Sequence, residues 1–277
     1  MGDFAINVAI AHQIGSARGE YSSLSAMDIT PDELFVAFGE SINDLMLGHR
    51  NDLEVKREAK CVELKLDRSW LDASSTAAGP KQRWVDGTPE YSFHICGLRK
   101  LFPQALFVHL LRDVRAVVRS MLNFHRIAGL QLVANEEEAY RYWFRTVNAC
   151  LTAERAYGPS VVHRIRYADL IESPQSTMRS LLGFLGEPYA ERCLEPLAER
   201  INSSGVSADL GPEDAGTNSA IMEEARRLST QLEKGAQPSA PCSAAVNQLE
   251  AAFRDRVKYV AGLDAAYQQE RAARVGA

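Results

Sequence analysis

The sequence predicts an α/β fold: a three-layer α/β/α arrangement with a central parallel sheet, plus C-terminal helices. Three observations carry that prediction. Short β-branched apolar runs alternate with longer stretches of helical periodicity from Phe4 to Gly186, the order that builds a parallel sheet covered by helices. The run Ala105–Leu111 (ALFVHLL) is apolar except for His109, as a buried strand is. Polar residues stand where each predicted strand stops: Asp86-Gly87-Thr88, Arg112-Asp113 and Tyr167-Ala168-Asp169. In open parallel sheets, ligands bind just beyond the carboxyl ends of the strands.

Phe4–Ile10 (FAINVAI) is short, alternating and rich in β-branched residues, and reads as the first buried strand. Gly15 and Gly19 then mark a turn, and Ser22, Ser23 and Ser25 open a short helix. A glycine-containing loop at a helix start exposes unpaired N–H groups, a geometry that holds phosphate, and Arg18 would add a positive charge. A plain strand-to-helix turn is the other reading, because GxxxxGK[ST] is absent. Thr30-Pro31-Asp32-Glu33 is a helix start with a capping threonine, a proline at the first helical position and a glutamate at the box position. Leu34, Phe35, Phe38, Ile42, Leu45 and Met46 recur on the core face of that helix. His49–Lys60 is a charged, solvated helix or loop, Cys61–Leu66 alternates like a strand, and Asp72–Lys81 is a small-residue loop, a candidate lid.

Trp84-Val85 ends a short β-run. Pro89 forces Thr88 out of helical geometry and starts a helix through Leu101. After the strand Ala105–Leu111, a helix over Val114–Phe124 carries Ser120, eight residues past Arg112. Asn135 caps a helix whose first turn holds Glu136, Glu137 and Glu138, and Gly158-Pro159 ends it. Ser160–Arg166 is the next strand. Ser173-Pro174 starts a helix ending near Gly186, and another runs from Glu191 to about Ile201. Asn202-Ser203-Ser204-Gly205 is a turn, Ala220–Glu233 a helix and Gly235–Ser243 a linker. Val246, Leu249, Phe253, Val257, Val260, Leu263 and Tyr267 stripe a long last helix. Such a stripe packs back on the domain or pairs with a partner helix, giving a homodimer. The expected division is an α/β domain over 1–212 and a helical extension over 213–277.

Composition excludes some classes of function. A net charge of -5 makes a poor general binder of nucleic acid. Five cysteines, an odd number without metal-ligand spacing, fit a reducing cytoplasmic setting. No apolar run reaches about 18 residues, so no membrane span is expected. The amino-terminal apolar run lacks a basic region before it and reads as a strand rather than a signal peptide.

Three segments together resemble the sulfotransferases that use 3′-phosphoadenosine 5′-phosphosulfate (PAPS). Phe102-Pro103-Gln104-Ala105-Leu106-Phe107 through Arg112-Asp113 and on to Ser120 resembles the family's FPxAxFxxxxRD…S segment. Trp84-Val85-Asp86-Gly87-Thr88-Pro89 resembles its acidic-Lys-Thr/Ser-Pro segment, with Gly87 in the lysine position. Arg166-Tyr167-Ala168-Asp169-Leu170, then Ser173-Pro174 and Phe184-Leu185-Gly186, resembles RYEDL…P…FLG, with Ala168 for the glutamate. The family's first loop reads GxxRSGTT; here Gly15-Ser16-Ala17-Arg18-Gly19-Glu20-Tyr21-Ser22-Ser23 keeps the glycine and arginine and departs afterwards.

The resemblance implies a P-loop NTPase-like sulfotransferase fold and sulfuryl transfer from PAPS to a hydroxyl or amine of a small-molecule or carbohydrate acceptor, leaving 3′-phosphoadenosine 5′-phosphate (PAP). It implies that Gly15, Ser16, Ala17, Arg18, Gly19, Ser22 and Ser23 hold the 5′-phosphosulfate. Arg112 and Ser120 would hold the 3′-phosphate, and Tyr167 would lie by the adenine. Asn202 and Ser203 either contact the nucleotide's 3′ side or only end a helix. Arg18 would stabilise the leaving oxygen, and Asp86 would be the base or merely cap its turn, with His94 as the alternative base. His109 and His163 lie inside strands and are read as structural. No acidic pair suited to Mg²⁺ stands out, so no metal is expected. Two rivals stand beside this reading. A nucleotide kinase would need a loop lysine and a Mg²⁺ carboxylate; a sulfotransferase-like binding module would have lost its donor loop.

Overall fold

The computed structural model describes residues 1–17, 23–48, 83–125, 131–198 and 216–275, together with 56, 59–60, 62–63, 129 and 214. It opens with helices α1 (Gly2–Ser16), α2 (Ser23–Ala26) and α3 (Pro31–Gly48). A 3-10 turn over Pro89–Phe93 precedes α4 (Ile95–Leu101), strand β1 (Phe107–Leu111) and α5 (Val114–Leu122). Next come α6 (Glu136–Tyr157), strand β2 (Val162–Arg166), α7 (Tyr167–Glu172) and α8 (Pro174–Leu185). A 3-10 turn over Glu191–Leu194 leads to α9 (Glu195–Ala198), and the chain closes with α10 (Ser219–Lys234) and α11 (Ser243–Val275). No helix among the described residues is long and apolar enough to cross a membrane.

The chain divides into two compact units. The first comprises Met1–Tyr91, Gly97–Pro103 and Arg256–Ala277. Here α1 packs on α3: Phe4 and Phe38 meet edge-on with centroids 6.1 Å apart, and Ala5, Ile6, Val8, Phe35 and Ile42 are buried. The capping box that starts α3 forms as expected. Thr30 N–H and Oγ1–H donate to Glu33 Oε2 at 2.8 and 2.7 Å, and Glu33 N–H donates to Thr30 Oγ1 at 3.3 Å. Gly39 lets α3 approach the end of α4 closely; a Cβ there would sit 1.8 Å from the Leu101 carbonyl oxygen.

Three sequence expectations are corrected in this unit. Phe4–Ile10, expected as a strand, lies inside α1. An apolar run this short does not separate strand from helix by period alone. Ala5, Ala9 and Ala11 favour helix, and no turn residue interrupts the run before Gly15. Trp84-Val85, expected to end a β-run, has no strand partner among the described residues. Trp84 instead donates its Nε1–H to Asn43 Oδ1 at 2.9 Å and meets Phe102 edge-on at 5.5 Å. Of Cys61–Leu66, also expected as a strand, Val62 and Glu63 are helical and the rest lie outside the described residues, as does Asp72–Lys81.

The second unit comprises Ser92–Cys96 and Gln104–Asp255. It holds the α/β element of the fold. Strands β1 and β2 pair in parallel, with Phe107 opposite Val162 and Leu111 opposite Arg166. Parallel strands require a crossover, and α5 and α6 supply it. Asp113 caps α5 by accepting from Ala116 N–H at 3.0 Å, and Asn135 caps α6 by accepting from Glu138 N–H at 2.9 Å. Gly158 ends α6 at φ 71°, a backbone conformation that suits glycine. Leu111, Val114, Val118, Tyr140, Trp143 and Val147 form the core, and α10 adds Ala225 and Leu232. The first helix of the segment read as a C-terminal extension therefore packs back on this core. On α11, whose residues from Arg256 onward belong to the first unit, Val257 is buried while Leu263 and Tyr267 are exposed.

Candidate functional site

The parallel register sets the candidate site. Because Leu111 and Arg166 are partners, Arg112 and Tyr167 are the first residues past the two level strand ends. The guanidinium carbon of Arg112 lies 4.7 Å from the centroid of the Tyr167 ring. A guanidinium that stacks by its face keeps its N–H edge for two anionic oxygens. Asp113, directly after Arg112, is engaged in capping α5, and the half-buried Ser120 lies on that same helix. Arg166 points its charge elsewhere: Nε–H donates to Asp169 Oδ2 at 2.7 Å, which raises the guanidinium's already high pKa, and Nη1–H donates to the Glu233 carbonyl.

One step inside the strands lies a buried ionic cluster. His109 and Arg164 are register partners, and Glu154 of α6 serves both. His109 Nδ1–H donates to Glu154 Oε1 at 2.6 Å; Arg164 donates Nε–H to Oε1 at 3.0 Å and an Nη2–H to Oε2. Burial alone would lower the His109 pKa, but hydrogen bonds to Cys150 and Glu154 and their charges outweigh it and raise the value to about 9. Burial opposes ionisation of Glu154 as well, yet the bonds from His109 and Arg164 hold its carboxyl below the ordinary range. His109 thus ties a strand to a helix, in keeping with a structural role. His163 is half-buried and stacked on Phe184 at 4.9 Å, and burial lowers its pKa.

Asp86 lies on an exposed turn of the first unit. Its Oδ1 accepts from Thr88 N–H at 3.0 Å and Thr88 Oγ1–H at 2.6 Å, and its Oδ2 accepts from Tyr91 Oη–H at 2.7 Å. These bonds, led by the Thr88 hydroxyl and then Tyr91, pull the carboxyl below its ordinary pKa. Asp86 therefore caps its turn in this conformation. His94 is half-buried in the turn before α4. Gly15 and Ser16 are the last residues of α1, and Ala17 continues in right-handed helical geometry, its N–H donating to the Ile14 carbonyl at 3.3 Å. A helix carboxyl end presents carbonyls rather than N–H groups, so these three residues do not form the strand-to-helix loop expected of them. Ser23 starts α2. Arg18, Gly19, Ser22, Asn202 and Ser203 lie outside the described residues.

Of the expected site residues, the structure brings Arg112 and Tyr167 together. The sequence reading missed Glu154, Arg164 and Gln237. The signal for Glu154 is weak: an acidic residue deep in an apolar helix face, beside Ala153 and Ala156.

A profile of the sulfotransferase family matches residues 34–191. The omega-hydroxy-beta-dihydromenaquinone-9 sulfotransferase Stf3 of Mycobacterium tuberculosis is 32% identical over 150 residues, which cover 49% of this chain and 37% of that protein. Protein-tyrosine sulfotransferase 1 of Danio rerio is 33% identical over 102 residues, covering 35% of this chain and 27% of that one. The match thus spans little more than a third of the length of the mycobacterial relative. Among solved structures, the sulfotransferase domain from the curacin biosynthetic pathway is 20% identical, with a TM-score of 0.35 over 61% of this chain and 62% of that one, too low to bear on the fold. The family profile runs over more than half of the chain and through both strands whose ends carry Arg112 and Tyr167, and the chain belongs to the sulfotransferase family.

Proposed function

We propose that this chain transfers a sulfuryl group from PAPS to a hydroxyl of a small-molecule or carbohydrate acceptor, in the cytoplasm and without a metal. The observation that carries the reading is Arg112 stacked on Tyr167 at the level ends of two parallel strands. In this reading Arg112 and Ser120 bind the 3′-phosphate and Tyr167 flanks the adenine. Arg18, Gly19, Ser22 and Ser23 are assigned to the 5′-phosphosulfate on the sequence motif alone. Residues 1–212 would supply the transferase domain and 213–277 a helical extension. The names of the two relatives, an omega-hydroxy quinone and a protein-tyrosine sulfotransferase, support a hydroxyl acceptor.

Sulfuryl transfer asks for in-line attack and for positive charge where the bridging oxygen departs. Asp86 is the proposed base. Its depressed pKa makes it a weak one, which suffices where the acceptor's proton leaves late, after the sulfur–oxygen bond has largely broken. One observation favours a second reading, a binding module without turnover: Gly15–Ala17 are helical rather than looped. Calorimetric titration with PAP and with ATP separates the readings. Tighter PAP binding supports the transferase. Preference for ATP would turn the proposal toward a kinase, and failure to bind either would leave the module.

A further inference from the structure

Residues Glu233–Gln237, where α10 ends and the linker begins, lie along one edge of β2. Phe107 N–H donates to the Val161 carbonyl, so the odd-numbered backbone groups of β2 face β1 and the even-numbered ones face away. Those outward groups need partners. The side chain of Gln237 supplies them: Oε1 accepts from Arg164 N–H at 3.1 Å, and Nε2–H donates to the Val162 carbonyl. A primary amide offers one acceptor and donors in nearly the geometry of a peptide, so a single side chain pairs this edge of β2 as a strand would. Two arginines fasten the same segment. Arg164 donates Nη1–H to the Gly235 carbonyl at 3.4 Å, and Arg166 donates Nη1–H to the Glu233 carbonyl.

We infer that Gln237 is a positioning residue for the nucleotide donor, because the strap it anchors fixes the β2-to-α7 turn that holds Tyr167 against Arg112. The inference rests on the donor reading above. Arg166 precedes Tyr167 and occupies the N-cap position of α7. Its guanidinium is held on one side by Asp169 of that helix and on the other by the strap. Without the strap, Arg166 is left with an exposed pair to Asp169, three residues along, and such pairs hold little. Among the described residues the sheet has two strands, and this edge of β2 then frays from its end. Tyr167 and its stack with Arg112 stand at that end.

The test is Gln237→Ala, read by two measurements on the full chain. Deuterium exchange over residues 165–173 should speed up in the variant. The Kd for PAP should rise about tenfold, the equivalent of one or two lost hydrogen bonds. Gln237→Glu gives a conservative rescue. Ionised, it loses the donor to Val162; protonated, it regains a donor and an acceptor. Its PAP affinity relative to wild type at the same pH should recover as pH falls toward about 4. Faster exchange together with weaker PAP binding supports the inference. Unchanged exchange overturns it, whether or not PAP binds, and faster exchange with wild-type PAP affinity overturns the positioning role. A wild-type chain that does not bind PAP, with exchange still faster in the variant, overturns the donor reading and the role built on it.

Discussion

Replacing Glu154 by glutamine tests the buried cluster that ties both strands to α6. His109 has an ordinary pKa of 6.5 and is raised to about 9 in the fold. At about 1.4 kcal/mol per pKa unit, the raised value is worth roughly 3 kcal/mol of stability. The sign follows from the direction. Below pH 6.5 the imidazole is protonated in both states and the contribution is complete. Between 6.5 and about 9 only the folded chain keeps the proton, so stability falls as pH rises through that window. In Glu154→Gln the carboxylate is gone and Cys150 is left to oppose the effect of burial on His109, so that slope should flatten in part. Near neutral pH the variant should also be weaker by about 3–5 kcal/mol, because Arg164 is left buried without its counter-charge. Urea unfolding in steps from about pH 6 to about pH 10 measures both effects. The difference between the two proteins removes groups that titrate alike in each. Parallel curves for variant and wild type across the window would refute the role of Glu154 in holding that proton on His109.

Three other outcomes follow from the same geometry. Arg112→Ala should lose measurable PAP binding while the circular dichroism spectrum and urea midpoint stay near wild type; wild-type affinity would remove Arg112 from the donor site. Asp86→Asn should keep PAP binding and lose turnover. If Asp86 is the base, the acid limb of the wild-type rate profile lies below the ordinary carboxylate range, since Thr88 and Tyr91 stabilise the ionised form; a limb near the ordinary histidine value would pass the role to His94. Gly39→Ala should destabilise the first unit by about 1–3 kcal/mol, because its Cβ meets a backbone carbonyl that cannot rotate away; a wild-type thermal midpoint would show that α3 and α4 separate easily.

What the sequence made legible is what short-range chemistry determines. The Thr30–Glu33 box, the Asn135 cap and the glycine that ends α6 each satisfy helix-end groups within four residues, so their pattern survives as a string. β1 was legible because its apolar run stops sharply at Arg112-Asp113, and β2 as the short segment between Gly158-Pro159 and Tyr167; those boundaries also identified Arg112 and Tyr167. The first segment was not legible: FAINVAI satisfies a strand template, and the partner that decides its state, the apolar face of α3, begins only after Thr30. Asp86 was legible as a motif position but not as a chemical group. Its acidity depends on where the Thr88 and Tyr91 hydroxyls point, which spacing does not specify. The least legible residues have partners far along the chain. Glu154 meets His109 across 45 residues, and Gln237 meets Arg164 across 73. No local pattern marks a glutamine in a Gly-Ala-Gln-Pro linker as the closing bond of a sheet. A family profile does not carry that information either, because the match ends at 191 and Gln237 lies beyond it. If donor affinity in this chain depends on that glutamine, site motifs alone will rank related chains wrongly, and the linker after α10 is where the difference will be found.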